Sequence, residues 1–415
     1  MQLQQKLSIF TFFMASTSIA YGAALDRSGQ SIAAFLQPNN YAEVGFNVVD
    51  PKVTGVAVGR FEDYKISDMA DSYYFPSAAL KFQIAEKFSA GLIFDEAFGA
   101  DSTYQTQDQK VSATGGLFFS EKDNTAAKVK SNNLSLLLGY QPTTNWNIYG
   151  GVAYQTFEAS VQTRGLIYGG EAALGKYNAN MEEDDSYGWI AGLAYQIPEI
   201  ALKMSLTYRS EIEHSLVTRE YGHSDILLTA GYSSVDYDTL TNNKVVTPQS
   251  VNLDLQTGIA KNTTIFLNGR WVNWEGFTIK PEFFGRITEV LGQANLAPDN
   301  PHGFDLLKYK KDQYSATLGV ARKFNEKWAG NINLGWDSGT GEYAPTLGPT
   351  KGNHSYGVGV QYSPQPNYFL AVGLKYIQIG DAKAQTAAAY GSEKYVANFQ
   401  NNDGFAYGMK IGYRF

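Results

Sequence analysis

The side chains that most often do chemistry are few and scattered. The four histidines, His214, His223, His302 and His354, fall in separate stretches without metal-ligand spacing. Cysteine is absent, which removes disulfides and thiolate metal sites. The segment "GHSDI" (222–226) sets a serine beside a histidine but lacks the closing glycine and the strand-to-helix context of a nucleophile elbow. A hydrolase at a barrel rim, using Ser224 and His223, is therefore only a third reading. "EEDD" (182–185) is an acidic run at a loop end, suited to a solvated or lipopolysaccharide-facing surface more than to a cation site. No glycine-rich phosphate loop is present. The expectation is a protein that is not an enzyme and holds no cofactor or metal.

Charged residues at alternating positions say more. Lys203, Arg209, Glu211, Asp254, Arg270, Asp337, Lys375, Lys410 and Arg414 have the parity opposite to their apolar neighbours. Most suit a network of paired charges. Arg209 and Glu211, two residues apart, read as one pair. Arg270 and Lys375 are freer to hold an anionic headgroup. Arg209, Arg270 and Lys375 are the candidate ligand-binding cations.

The elements that carry them are strands. The chain closes on "FAYGMKIGYRF", in which Phe405, Tyr407, Met409, Ile411, Tyr413 and Phe415 alternate with small or charged residues. The same period of two recurs at Leu134, Leu136, Leu138 and Tyr140, at Leu202, Met204, Leu206 and Tyr208, and at Leu370, Val372, Leu374 and Tyr376. Aromatics gather at strand ends, as at Trp328 and Trp336. Eight residues tilted by ~40° cover roughly 20 Å, near the ~25 Å apolar band of an outer-membrane barrel. Short turns at 86–89, 141–145, 196–200, 260–264, 324–328 and 363–367 alternate with long polar loops near 99–129, 163–185, 214–247, 276–311, 338–352 and 380–402. A soluble propeller or sandwich explains neither the aromatic ends nor the terminal Phe415. The expected fold is all-β, a transmembrane antiparallel barrel of about fourteen strands, spanning 41–415, its apolar face toward lipid.

The N-terminus sets the compartment. Lys6 precedes an apolar stretch ending in small residues, with Ala20 and Gly22 before a cleavage point, so residues 1–22 are expected to be a signal peptide. Residues 23–40 lack a period of two and are expected to form a short hatch inside the barrel. A net charge of −7 argues against nucleic acid as partner. The mean hydropathy of −0.27 looks soluble, but alternation hides a barrel's lipid face.

Two features depart from clean alternation. In "FDEAFGAD" (94–101), Asp95, Glu96 and Gly99 break the pattern set by Phe88, Ala90, Leu92 and Phe94. In "FFGRITEVLGQANL" (283–296), Phe283, Phe284, Ile287 and Leu291 mark a short amphipathic helix, a candidate capture surface for a greasy ligand.

"LKMSLTYRSEIEHSL" (202–216) resembles the strand that carries Leu-Thr-Tyr-Arg-Ser-Glu in the long-chain fatty acid transporter (FadL-type) outer-membrane transport family, here Leu206 to Glu211. "NWNIYGGVAYQTFEASVQTRG" (145–165), "GWIAGLAYQI" (188–197), "YSATLGVARKFNEKWAGNINLGWDSG" (314–339) and the terminal Phe support it. The resemblance covers most of the chain from Tyr41. It implies a plugged 14-stranded barrel that captures a hydrophobic substrate in its outer loops. It also implies release through a lateral gap at a kink in the third strand, here at Asp95, Glu96 and Gly99. The family's Asn-Pro-Ala hatch motif is missing; only "QPNNYAEVGF" (37–46) stands near its place. The expected function is passive uptake of long-chain fatty acids or other hydrophobic molecules across the outer membrane of a Gram-negative cell. The alternative is a diffusion porin for polar solutes. Expected partners are the ligand, outer-membrane lipid, lipopolysaccharide, and the barrel assembly machinery at the strand ending in Phe415.

Overall fold

The computed structural model of the chain describes residues 24–62, 64–105, 115–120 and 123–415. The expected leader, 1–22, lies outside them. Period-two segments pair into a closed antiparallel barrel: β1 (Tyr41–Lys52), β2 (Tyr73–Ala85), β3 (Phe88–Asp95 and Gly99–Thr103), β4 (Ala126–Tyr140), β5 (Trp146–Arg164), β6 (Lys176–Ile197), β7 (Leu202–Arg209 and Ile212–His223), β8 (Asp236–Thr247 and Ser250–Ala260), β9 (Thr263–Val272), β10 (Gln313–Lys323), β11 (Trp328–Asp337), β12 (Lys351–Gln365), β13 (Tyr368–Gly380) and β14 (Asn402–Arg414). The final strand closes the cylinder on the first, with Tyr41 opposite Arg414 and Lys52 opposite Asp403. Closure pairs the first strand with the last and leaves no free sheet edge, which the hydrocarbon core demands.

The alternation decides which side faces lipid. Leu136 is 52% exposed and Leu138 62%, while Leu137 between them is fully buried. Trp328, Ile332, Leu334 and Trp336 on β11 all face outward, and so do the six apolar residues of the terminal strand. Aromatic pairs tie neighbouring strands at the membrane edge: Trp328 with Tyr362, Trp146 with Tyr195, and Trp189 with Tyr208.

The short turns fall where the pattern puts them, and the long connections share the opposite end. Two expected loops, 163–185 and 214–247, are instead largely strand, because β5 to β8 run on past the membrane. There the outer face meets water, so the apolar alternation stops while the hydrogen-bond ladder continues. Arg219 pairs with Asp238, and Lys244 with Glu213, on that outer face. A further long loop, 53–72, was not among those expected. Its short strands join those of loops 338–350 and 381–401 in a five-stranded sheet over the barrel mouth.

Ile332→Arg places a charge on the lipid face. It is expected to cost about 2–4 kcal/mol near the bilayer midplane, whereas Asn331→Arg on the inner face costs far less. Urea titration of refolding into lipid vesicles compares the two.

Candidate ligand cavity and lateral opening

The third strand is broken where the sequence departs from alternation. Its pairing with β4 runs to Asp95 opposite Asn133 and resumes at Gly99 opposite Lys130. Four steps on β3 meet three on β4, a one-residue bulge. On the other side, the pairing with β2 ends at Ala78 opposite Phe94. Above it, Tyr73 to Ser77 pair only through β1. The upper piece of β3 bonds to the loop before β2 instead, through the Ala70–Ser102 bridge and the Thr103 amide on Met69. The ladder between β2 and β3 is thus interrupted over a window with paired backbone below and above. A cleft of about 60 Å³ opens there, lined by Glu43, Phe75, Ala78, Phe94, Asp95 and Met409 among others.

The N-terminal segment satisfies the backbone that the break sets free. The Gly99 amide donates to Leu25 at 2.8 Å, and the Arg27 amide to Ala97 at 3.0 Å. The Ser28 hydroxyl donates to Asp95 at 2.6 Å, and Arg27 reaches Glu96 at 3.4 Å. The Arg27 guanidinium also lies 4.2 Å from the Tyr73 ring centre, so this one side chain spans the window. Gly99 leaves room for that approach. A Cβ there would stand 2.5 Å from the Arg27 guanidinium carbon. Deeper in, Phe35 packs against Gly91 and Gly139, where a Cβ would collide with its ring. Lys203 donates to the Leu36 carbonyl at 2.6 Å.

Arg270 was expected to be free, and it is not. Its guanidinium holds Asp26 with two bonds of 2.9 and 3.0 Å and reaches Asn252 and Gln30 as well. The carboxylate comes from a segment with no strand pattern. The pairing of Arg209 with Glu211 is also absent. The strand breaks at Ser210, which bonds back to Trp189, so Glu211 turns outward while Arg209 stays inside on Asn252. Lys375 is buried on the inner face of β13. None of these three cations lines either cavity described here.

The larger cavity, about 430 Å³, lies among the outer loops. Its walls are Leu166, Ile167, Tyr168 and Leu174 from one loop, Phe284, Leu291, Ala297 and Phe304 from a second, and Leu347, Ala387, Ala388 and Tyr390 from the lid. The expected helix is present over Glu282–Gln293. Of its four expected capture residues, Phe284 and Leu291 line the cavity. Ile287 is fully buried in the loop core, and Phe283 stacks with Tyr237. The helix is fixed by a residue that periodicity alone does not single out. Buried Glu220 accepts the Phe283 and Phe284 amides at 2.8 and 2.6 Å, at the positive end of the helix. It also accepts the Tyr177 and Thr241 hydroxyls.

Below the loops, one half of the bore is polar. Asp254, Gln256, Thr264, Asn268, Ser315, Thr317, Asn331 and Asn333 alternate with the lipid-facing residues of β8 to β11, and all are half-exposed. Buried Trp274 closes this chamber on the loop side. It donates to Gln313, which donates to Asp337, and it packs on Phe98, Phe277 and Tyr309.

The Ser224–His223 arrangement is not assembled. Both ring nitrogens of His223 face carboxylates, Asp236 at 2.7 Å and Asp225 at 3.1 Å, and the Asp236 bond raises its pKa. Ser224 is fully buried. Among the described residues, no cluster of His, Asp or Glu has the makings of a metal site.

The sequence matches the outer membrane protein transport family (OMPP1/FadL/TodX) over residues 24–415, and the chain belongs to that family. It is an outer-membrane transport protein of a Gram-negative envelope. No curated protein matches it in sequence. Its fold is similar to a Pseudomonas aeruginosa FadL homologue, at 14% identity and a TM-score of 0.67 with 92% of each chain covered. It is similar too to the P. putida toluene transporter TodX, at 12% identity and 0.61 with 92% and 91% covered. The CymD monoaromatic hydrocarbon channel aligns at 11% identity and 0.54 with 92% and 89% covered.

Glu220→Ala leaves two buried helix amides without an acceptor. Local opening of the helix is expected to become easier by on the order of 3 kcal/mol, with the barrel itself intact. Amide exchange at Phe283 and Phe284 measures this.

Proposed function

We propose that the protein carries a hydrophobic small molecule, of the class that includes long-chain fatty acids and hydrocarbons, passively across the outer membrane. The single observation that carries this reading is the stacking of three environments. An apolar cavity lies among the loops, a polar chamber lies beneath, and an interrupted ladder opens the wall between β2 and β3. Removal of the ligand from water contributes ~25 cal/mol per Å² of apolar surface buried. The loop cavity and the bilayer offer that gain, and the Asn- and Thr-lined chamber does not. The ligand therefore leaves sideways, into the bilayer, and avoids the polar lipopolysaccharide layer. The toluene transporter TodX and the monoaromatic hydrocarbon channel CymD support the hydrophobic class through their shared fold.

Residues 24–40 act as the hatch once the leader, 1–22, is removed. In place of an Asn-Pro-Ala motif, the contacts of Asp26, Arg27 and Ser28 with Arg270, Glu96 and Asp95 hold the window. Nothing in the reading calls for catalysis. Lipopolysaccharide surrounds the outward polar faces of β5 to β8, and the strand ending at Phe415 is the part offered to the assembly machinery. Arg270, on Asp26 and Gln30, and Lys203, on the Leu36 carbonyl, steady the hatch.

Deleting the protein is expected to lower uptake of a hydrophobic compound and leave sugar uptake unchanged. Planar-bilayer recording is expected to give no large steady current. Such a current, or equal loss of both solutes, favours the porin alternative. A Ser28→Cys/Asp95→Cys pair tests the hatch. Oxidation is expected to stop hydrophobic uptake and reductant to restore it; full uptake in the oxidised state contradicts a moving hatch.

A further inference from the structure

The chemistry of the loop cavity narrows its occupant. Apart from tyrosines, its one ionisable lining residue among the described residues is Arg60, which is exposed at the rim and lies 4.4 Å from the Phe61 ring centre. Several hydroxyls on the walls are engaged within the protein. Tyr168 donates to Thr346 at 3.0 Å, and Thr163 donates to the Leu174 carbonyl. Tyr390 accepts a backbone bond from Lys308. Burial pushes the pKa of both tyrosines up, so neither is an anion.

A carboxylate taken from water needs several donors, or it costs several kcal/mol. Among the described residues, the walls inside the Arg60 rim offer only the neutral hydroxyls of Thr and Tyr. An alcohol or an alkane makes no comparable demand. The volume sets a size as well. About 430 Å³ is roughly three times a cavity of ~150 Å³ that accepts benzene.

We propose that the loop cavity selects an uncharged, hydrocarbon-like molecule larger than one aromatic ring, and discriminates against the carboxylate of a fatty acid. This rests on the cavity being the capture site of the transport reading above. The selectivity comes from what the walls lack, since a charged headgroup would be desolvated without replacement bonds.

The test uses cells that lack the chromosomal copy and carry the full-length protein. Uptake of labelled dodecane, dodecanol, dodecanoate and toluene is measured at neutral pH, with and without the protein. The expected result is at least tenfold stimulation for dodecane and dodecanol, less for toluene, and little for dodecanoate. Ala387→Trp, which fills the cavity, is expected to abolish the stimulation. Arg60→Ala is expected to leave the order of ligands unchanged. Stimulation of dodecanoate equal to that of dodecanol overturns the charge selection while leaving the transport reading intact. Loss of dodecanoate uptake specifically in Arg60→Ala overturns it too, because the rim cation then holds a headgroup. Toluene stimulated above dodecane overturns the size claim. No stimulation of any ligand removes the transport reading and this inference together.

Discussion

A backbone amide in hydrocarbon must find a partner inside the protein, and the architecture follows from that requirement. Fourteen strands meet it by closing on themselves. The ladder is interrupted between β2 and β3, where the N-terminal segment enters. Leu25 and Arg27 take up the bonds of Gly99 and Ala97 that no strand supplies. The break and the segment beside it are thus one device. Neither is stable at that place without the other, because an unpaired peptide group in an apolar setting costs several kcal/mol.

The same logic orders the interior. Where the wall is continuous, from β8 to β11, most inner side chains are polar and half-exposed, as at Asp254, Asn268, Thr317 and Asn331. Where the wall is interrupted, the lining mixes Phe75, Ala78, Phe94 and Met409 with Ser77 and Asp95. Above both sits the apolar loop cavity, its helix held in place by Glu220. A hydrophobic solute in that cavity has a polar chamber below and a route to the bilayer at the side. The order of environments favours the sideways path, and net flux follows the solute's own concentration difference.

Much of this was legible in the sequence, for a physical reason. Lipid imposes a strict pattern on one face, so residues such as Leu136, Trp336 and Met409 announce their orientation. The kink at Asp95, Glu96 and Gly99 was visible as a defect in that pattern, and the helix near 283–291 as a change of period. Legibility stops where lipid stops. The outer ends of β5 to β8 looked like loops because water replaces lipid on their outer face, so the apolar side of the strand is the inner one, packed in the loop core with Phe157, Tyr177 and Leu216. Asp26 was invisible as the partner of Arg270 because its segment has no period at all. Glu211 was misplaced because a break at Ser210 reverses the parity assumed for it. Glu220 keeps the inward parity of Leu216 and Thr218, but its role depends on a helix more than sixty residues away.

The lateral route is the central claim, and a photoactivatable alkane tests it most directly. The protein is embedded in lipid nanodiscs, the alkane is added, illuminated during transit, and the labelled residues are identified by mass spectrometry. The account predicts adducts on the loop cavity, at Leu166, Phe284 and Leu347, and then on the inward-facing lining of the window, at Phe75, Ser77 and Ile93. Adducts along Thr317, Asn331 and Asn333, with none at the window, would mean that the ligand runs down the bore, and would contradict it.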